Sequence, residues 1–247
     1  MKKSKRILAI LMLLSMCLVS CKQEVSNTPT SASEQGCDVF DDCEEGSGMT
    51  TKSFVEEYEI LNGKTNTSGK VHRTIHIPEN HPFEKITPEQ LVEKLDQKET
   101  FYLYVGDSMC PWCRSVIETA IKKAKEYQVD KIYYIKIWDE EGNEIFRDKF
   151  TDNCEEAVRI VEPTEGYLKL LEACDSLLEE YYVSGEETDC LYVTNEKRVY
   201  APSFFYIEKG IGIKMTDGTP EDQEDPRAEL TTSQRQEQEA KFDGFFK

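Results

Sequence analysis

The chain has 247 residues, of which 38% are hydrophobic, and its formal net charge is −18. This length and apolar content allow one substantial core with additional tails. The acidic balance argues against nucleic acid and anionic membrane surfaces as electrostatic partners, because both attract basic surfaces. We therefore predict a solvated acidic surface and no nucleic-acid partner.

The first residues have the pattern of an export signal. A basic stretch, MKKSKR, precedes the apolar run ILAILMLLSMCLV, which is too short to favour a membrane-spanning helix. The run ends in Leu18-Val19-Ser20-Cys21, which resembles the bacterial lipobox. That resemblance implies removal of residues 1–20, diacylglycerol and palmitate on Cys21, and lipid anchoring at the extracytoplasmic face of the cell membrane. The alternative is an ordinary signal peptide with a coincidental cysteine.

Export makes the cysteines informative, because disulfides persist outside the cytoplasm. After processing and lipidation an odd number remains, so at least one thiol is unpaired or pairs between chains. The remaining cysteines are Cys37, Cys43, Cys110, Cys113, Cys154, Cys174 and Cys190. Outside the pair Cys110 and Cys113, the sequence leaves their pairing open.

Residues 21–70 are predicted to form a flexible acidic tether rich in serine and threonine. Up to about residue 52 the tether has almost no large apolar side chains, so burial cannot offset the entropy of ordering it. Its two cysteines, Cys37 and Cys43, either close a small local disulfide or form an accessory thiol pair. A second turn-rich linker, LNGKTNTSGK, precedes the folded domain, which we predict over residues 71–247.

The first part of that domain alternates strands and helices. VHRTIHI (residues 71–77) alternates in polarity and predicts a strand. Thr87-Pro88-Glu89-Gln90 is a capping box that opens a helix with Leu91 and Leu95 facing inward. TFYLYVG (residues 100–106) predicts a buried strand, and the apolar positions of residues 116–124 repeat at helical spacing. With KIYYIKIW (residues 131–138) as the next strand, the order is that of a βαβ unit.

Residues 139–189 become acidic and helical in pattern, and we predict a helical insertion there. One stripe contains Leu168, Leu171, Cys174, Leu178 and Tyr181, so Cys174 is expected to face a core. SFFYIEKGIGIKMT (residues 203–216) predicts two strands joined by a turn at 208–210. Thr231 and Gln234 form the capping box of a final helix, whose phenylalanines are expected to dock it.

Cys110-Pro111-Trp112-Cys113 has three possible interpretations. A zinc site commonly needs a second such pair, and the sequence has none. The histidines at 72, 76 and 81 lie far away in sequence, so we predict no metal and no cofactor. A purely structural disulfide would close so small a loop that it would stabilise little. The third interpretation is a redox-active dithiol.

The position of the pair favours the redox interpretation. Cys110 follows a buried strand and precedes a helix, and Pro111 fits the first helical position. Free backbone N–H groups and the helix dipole at that point favour a Cys110 thiolate, which is the nucleophile of disulfide exchange. Cys113 lies one turn further along, where it is less exposed and can resolve a mixed disulfide. Strand, CxxC and helix together are the pattern of a thioredoxin-like site.

Residues 100–124 followed by residues 131–138 resemble the thioredoxin fold, and in particular the extracytoplasmic group that includes bacteriocin transport accessory proteins. The shared pattern is carried by Tyr104, Gly106, Cys110, Pro111, Cys113 and Arg114. RVYAPSFFYIEKG (residues 198–210) resembles the stretch in which a cis-proline, here Pro202 after Ala201, precedes a strand. The resemblance implies a three-layer α/β/α sandwich with the insertion before that strand. It also implies that Pro111, Trp112, Ala201 and Pro202 shape the substrate site around the catalytic Cys110 and Cys113.

Two departures from the family pattern accompany this resemblance. The segment between the motifs is long, and Tyr104 stands about where cytoplasmic thioredoxins keep a buried aspartate. Asp107 is nearer but is expected on the loop, where its charge would oppose a thiolate at Cys110.

We therefore expect a membrane-anchored thiol–disulfide oxidoreductase that reduces or isomerises disulfides of exported proteins. Its expected partners are extracytoplasmic protein thiols and disulfides, together with a membrane redox partner. The alternative is a non-enzymatic accessory lipoprotein that binds a component of a secretion or transport system.

Overall fold

The computed structural model describes residues 52–151, 157–184 and 191–247. These residues form five α-helices: α1 (Phe54–Glu59), α2 (Pro88–Asp96), α3 (Pro111–Glu126), α4 (Glu165–Ala173) and α5 (Thr232–Phe246). The strands are β1 (Phe83–Lys85), β2 (Phe101–Gly106), β3 (Ile132–Lys136), β4 (Lys149–Phe150), β5 (Arg159–Val161), β6 (Glu180–Ser184), β7 (Leu191–Lys197), β8 (Ser203–Glu208) and β9 (Ile211–Thr216). The predicted signal segment and Cys21, Cys37, Cys43, Cys154 and Cys190 lie outside the described residues.

A five-stranded mixed sheet forms the centre of the fold, with the strand order β1-β3-β2-β8-β9. Strands β1, β3 and β2 are parallel neighbours, while β8 pairs antiparallel with β2 and with β9. The predicted βαβ unit is confirmed, because β2 and β3 are adjacent and parallel and are joined through α3. The fold is therefore mixed α/β, as predicted.

The two faces of the sheet carry different side chains, because successive residues of a strand point to opposite sides. On β2, Leu103 and Val105 pack with α2 and α4 in a mainly aliphatic cluster. Tyr104, between them, packs with α1, α3 and α5 in the second cluster, which also contains both Cys110 and Cys113. We call these the aliphatic face and the tyrosine face of the sheet.

Helix starts follow the capping signals in the sequence. Thr87 caps α2 and Thr231 caps α5, each with the reciprocal side-chain bond of a capping box. Leu91 and Leu95 of α2 are buried, and α5 docks through Phe242, Phe245 and Phe246. Among the described residues, no helix has the length and apolar character that crossing a bilayer requires.

The prediction that residues 21–70 form a tether is wrong for its last part. Ser53 caps α1 with a capping box, and Phe54 and Tyr58 of this helix are buried in the core. Phe54 stacks on Phe83 of β1 with ring centroids 4.5 Å apart. Two aromatic side chains supply enough apolar area to order a short helix, so the folded part begins by residue 53.

The predicted strand at residues 71–77 is also wrong. Only Val71 forms an isolated bridge, with Thr65. The backbone N–H groups of residues 75–77 bond instead to side chains: Ile75 to Asn62 (3.1 Å), His76 to Glu118 (2.9 Å) and Ile77 to Glu59 (2.8 Å). The segment alternates in burial like a strand, but side chains provide the acceptors that a neighbouring strand would otherwise supply.

The insertion predicted at residues 139–189 is not mainly helical over residues 139–151 and 157–184. Its described part contains one α-helix, α4, and the strands β4, β5 and β6, which form small two-stranded sheets with their partners. Gly166 packs against the carbonyl of Pro88, with no room there for a Cβ, so α4 turns Tyr167 and Leu170 towards the core. Leu168 of the predicted stripe is therefore exposed, whereas Cys174 is buried as predicted.

Candidate active site

Cys110 is the N-cap residue of α3. Its backbone is extended (φ −69°, ψ 118°), and Pro111 begins the helix, as predicted. The thiol Sγ accepts a hydrogen bond from the backbone N–H of Cys113 at 3.3 Å. A sulfur atom thus occupies the place that a serine or aspartate oxygen takes in an ordinary helix cap.

The surroundings of Cys110 favour its thiolate. A hydrogen bond from the Cys113 thiol lowers the pKa of Cys110, and the backbone N–H groups of Cys113 and Trp112 lower it further, against the opposing effect of burial. The lowered pKa makes Cys110 the better nucleophile of the pair near neutral pH. Both residues carry free thiols in this structure.

Cys113 has the opposite character. It is fully buried, whereas Cys110 remains 4% exposed. Burial raises the pKa of Cys113 well above its ordinary value, and the bond to Cys110 raises it further. The backbone N–H of Asp107 donates to its Sγ at 3.5 Å, and the Tyr104 hydroxyl also donates to it, which lowers its pKa in part.

Tyr104 contacts Cys113 through a hydroxyl that has a second partner. The hydroxyls of Tyr104 and Tyr58 are 2.8 Å apart, and both side chains are fully buried. Burial raises the pKa of each phenol well above its ordinary value, so both are protonated at neutral pH. The Tyr104 ring extends along β2 over Gly106, where any Cβ would overlap the hydroxyl.

Asp107 lies in the loop after β2, as predicted, and its carboxyl group is buried. Its Oδ1 accepts the backbone N–H of Met109 at 2.8 Å, and its Oδ2 accepts that of Trp138 at 3.2 Å. Burial raises the pKa of Asp107 to about 6, although these bonds and Lys136 oppose the rise. Its carboxylate in turn raises the pKa of Cys110, as expected for a nearby like charge.

The Ala201–Pro202 peptide bond is cis, as predicted. The carbonyl oxygen of Ala201 faces the Cys110 sulfur at 3.6 Å, so two segments distant in sequence meet at the thiol. Trp112, between the two cysteines, is half-buried against the tyrosine face. A cavity of about 650 Å³ opens beside Pro202 and is lined in part by Tyr200, Met215 and Phe245.

A buried charge network attaches the insertion to the segment that precedes the cis bond. Arg147 donates to the carbonyl of Val199 at 3.2 Å and forms an ion pair with Glu144. Arg198 donates to the side chain of Asp148 at 2.7 Å and to its backbone carbonyl at 3.1 Å. These residues were not identified from the sequence, because an arginine within an acidic stretch has the pattern of a solvated charge.

Arg114, which follows Cys113, is 1% exposed and is held mainly by carbonyl groups. Its guanidinium donates to the carbonyls of Tyr58 (2.8 Å), Ser108 (3.2 Å) and Arg73 (2.6 Å), and to the side chain of Asn62 (2.6 Å). Burial lowers its pKa, while the charges of Tyr58 and Glu118 oppose the change. Arg114 thus ties α1 and the following segment to the start of α3.

Other candidate chemistry is limited among the described residues. No group of three or more His, Cys, Asp or Glu side chains there is arranged to hold a metal ion. Cys174 lies on the aliphatic face, and burial alone raises its pKa to about 12.

Comparison of the sequence with protein-family models and with curated proteins finds no match.

Proposed function

We propose that this protein is a thioredoxin-like thiol–disulfide oxidoreductase that acts on extracytoplasmic proteins. The observation that carries the proposal is the environment of Cys110. Its sulfur caps a helix, accepts a backbone N–H bond and faces the carbonyl of Ala201 across a cis-proline loop. The strand order and the parallel β2–α3–β3 unit agree with the same assignment.

The reaction follows from the difference between the two thiols. The Cys110 thiolate attacks a substrate disulfide, one substrate sulfur leaves with the electron pair, and a Cys110–substrate mixed disulfide forms. Cys113 then attacks Cys110, the second substrate sulfur leaves, and the pair is oxidised to a disulfide. Two electrons pass to the substrate, and a membrane redox partner would return the pair to the dithiol.

Extracytoplasmic location and lipid anchoring at Cys21 are part of the same proposal. They depend on the export pattern and the lipobox resemblance of residues 1–21, which lie outside the described residues.

Insulin reduction with a small-molecule dithiol as electron source tests the activity. We expect Cys110→Ser to reduce the rate to the uncatalysed level, because the other described thiols, Cys113 and Cys174, are fully buried and neither caps the start of an α-helix. Cys174→Ser is the matched control, since it removes a buried thiol on the aliphatic face and should leave the rate unchanged. Equal rates for wild type and Cys110→Ser would overturn the proposal.

The cavity beside Pro202 favours a second candidate, a non-enzymatic binding module for a secretion or transport component. This alternative predicts that a partner co-purifies equally with wild type and with a Cys110→Ser/Cys113→Ser double variant. The oxidoreductase instead predicts that Cys113→Ser alone accumulates mixed disulfides through Cys110.

A further inference from the structure

The cis-proline loop, residues 199–202, is held at its start by side chains of the insertion. Val199 is fully buried, and both of its backbone polar groups bond to such side chains. Its carbonyl accepts a hydrogen bond from Arg147 at 3.2 Å, and its N–H donates to the Tyr167 hydroxyl at 3.3 Å. Residues outside the central sheet therefore set the path of the chain into the loop.

Glu144 is the centre of the contacts that hold Arg147. Its side chain is only 8% exposed, and its Oε2 accepts a hydrogen bond from Nε of Arg147 at 3.1 Å. Among the described residues, no other carboxylate pairs with Arg147. The second arginine, Arg198, lies 3.7 Å from Glu144 and has Asp148 as its closer partner at 2.7 Å. Glu144 is thus the group that fixes the direction of the Arg147 side chain.

Trp138 connects Glu144 to the loop after β2. Its indole N–H donates to Oε1 of Glu144 at 2.9 Å, and its backbone N–H donates to the Asp107 carboxylate at 3.2 Å. Asp107 in turn donates its own backbone N–H to the Cys113 sulfur at 3.5 Å. A continuous series of contacts therefore joins the thiol pair, through Trp138, Glu144 and Arg147, to the start of the cis-proline loop.

Buried charges are a costly way to attach an insertion. Their removal from water costs free energy that their mutual attraction repays only in part, so apolar side chains of similar volume would often serve stability as well or better. Charged hydrogen bonds add a defined distance and direction, which apolar contacts do not supply. The network is therefore better explained by a need to fix the position of the loop than by a need for stability.

We propose that Glu144 is a positioning residue of the oxidoreductase and that the insertion holds the cis-proline loop ready for substrate. Glu144 orients Arg147, Arg147 fixes the Val199 carbonyl, and the backbone of the loop is thereby placed beside Cys110 before substrate arrives. An extended segment of a substrate protein then binds to a loop that needs no further ordering, which improves its affinity. The inference rests on the proposed function and adds a role for the insertion.

Insulin reduction by the full-length mature chain tests the proposal, with KM and kcat measured separately at a fixed concentration of dithiol. We expect Glu144→Ala to raise KM by about 10-fold, because ordering the backbone of a single residue on binding costs about that factor. The value of kcat should be unchanged, since the bound complex has the same groups at its thiols.

Glu162→Ala is the matched control. It removes a carboxylate of the same insertion that is 81% exposed and pairs with Arg159 at 3.9 Å. This variant should keep the wild-type KM, because a solvated ion pair fixes little.

A double variant separates positioning from stability. Glu144→Ala leaves Arg147 buried without a carboxylate partner, so it should lower the urea midpoint of unfolding. In Glu144→Ala/Arg147→Met this unpaired charge is gone, and the midpoint should recover. The KM should remain raised by about 10-fold, because the Val199 carbonyl still lacks its donor. A KM that recovers together with the midpoint would overturn the proposal, and the double variant supplies the comparison if Glu144→Ala alone does not fold.

Alkylation of Cys110 by iodoacetamide shows whether the thiol itself is changed. This small reagent does not need the cis-proline loop as a binding surface, so its rate with Glu144→Ala should equal the wild-type rate. Slower alkylation of the folded variant would place the effect of Glu144 on the thiol and would overturn a role in positioning the loop.

The failures of the two proposals are distinguishable. A wild-type protein that does not reduce insulin would overturn the proposed function and, with it, the role of Glu144. Insulin reduction by wild type, together with an unchanged KM in folded Glu144→Ala, would overturn the role of Glu144 alone.

Discussion

The aliphatic face and the tyrosine face of the sheet are formed by the same strands, yet each surrounds a buried cysteine differently. On the aliphatic face, burial alone raises the pKa of Cys174 to about 12. On the tyrosine face, Cys113 is equally buried, but a hydroxyl, a backbone N–H and a second thiol all contact its sulfur. Burial by itself makes a thiol inert, so reactivity in this fold depends on which polar groups accompany the burial.

The largest expected effect is a difference in thiol reactivity between Cys110 and Cys174. In reduced native protein at pH 7, we expect iodoacetamide to modify Cys110 at least about 1,000-fold faster than Cys174. The reason is that a thiol whose pKa is about 12 is almost never ionised at this pH, and Cys174 is also fully buried.

Peptide mass spectrometry of samples quenched at different times measures both rates in one experiment. In urea the two residues should react alike, since their environments are then equal. Modification of Cys174 at a rate near that of Cys110 in native protein would contradict the comparison.

The second prediction compares the loss of stability when two adjacent residues of β2, one on each face of the sheet, are substituted. Leu103→Ala on the aliphatic face should lower the free energy of unfolding by about 2–5 kcal/mol, because it leaves a cavity in a fully buried site. Tyr104→Phe should cost less, about 1–3 kcal/mol, because it keeps the ring and removes only the hydroxyl, which leaves the buried Tyr58 hydroxyl without its partner.

Urea denaturation of both variants measures this difference. The rate of insulin reduction should be unchanged in Leu103→Ala below its unfolding transition. A slower rate for folded Leu103→Ala would show that the two faces are not chemically separate.

The smallest expected effect is a pH dependence of stability that arises from Asp107. Its folded pKa is raised from 3.8 to about 6, so the folded state binds more protons than the unfolded state between these values. The destabilising contribution is therefore absent below about pH 4 and fully present above about pH 6. From the size of the shift it is on the order of 2–3 kcal/mol.

Urea denaturation of wild type and Asp107→Asn between pH 4 and pH 7 tests this prediction. The free energy of unfolding of wild type, relative to the variant, should fall as the pH rises through this interval. A difference that is constant with pH would contradict a raised pKa at Asp107.

Much of the fold was predictable because its signals are local. Capping boxes and helical periodicity identified α2, α3 and α5, and the run of aromatic and branched residues identified β2. The insertion was predicted as helix because its leucines repeat at helical spacing, although Tyr181 belongs to β6, which pairs antiparallel with the next strand along the chain, β7.

The position of the thiol pair at the start of a helix was likewise predictable, because a strand, a CxxC motif and a helix follow one another in the sequence. The hydroxyl groups beside the pair were not predictable. Tyr58 lies 46 residues before Tyr104, in a six-residue helix that appeared to belong to a tether. Only tertiary packing brings the Tyr58 hydroxyl to Tyr104 beside Cys113.

Gly106 links this chemistry to the evolution of the chain. Because a Cβ at position 106 would overlap the Tyr104 hydroxyl, tyrosine at 104 and glycine at 106 form one steric unit. Related sequences should therefore vary at the two positions together, with larger residues at 106 only where 104 has lost its phenol. A Gly106→Ala exchange would look like a conservative strand mutation, yet it would displace the Tyr104 hydroxyl beside Cys113.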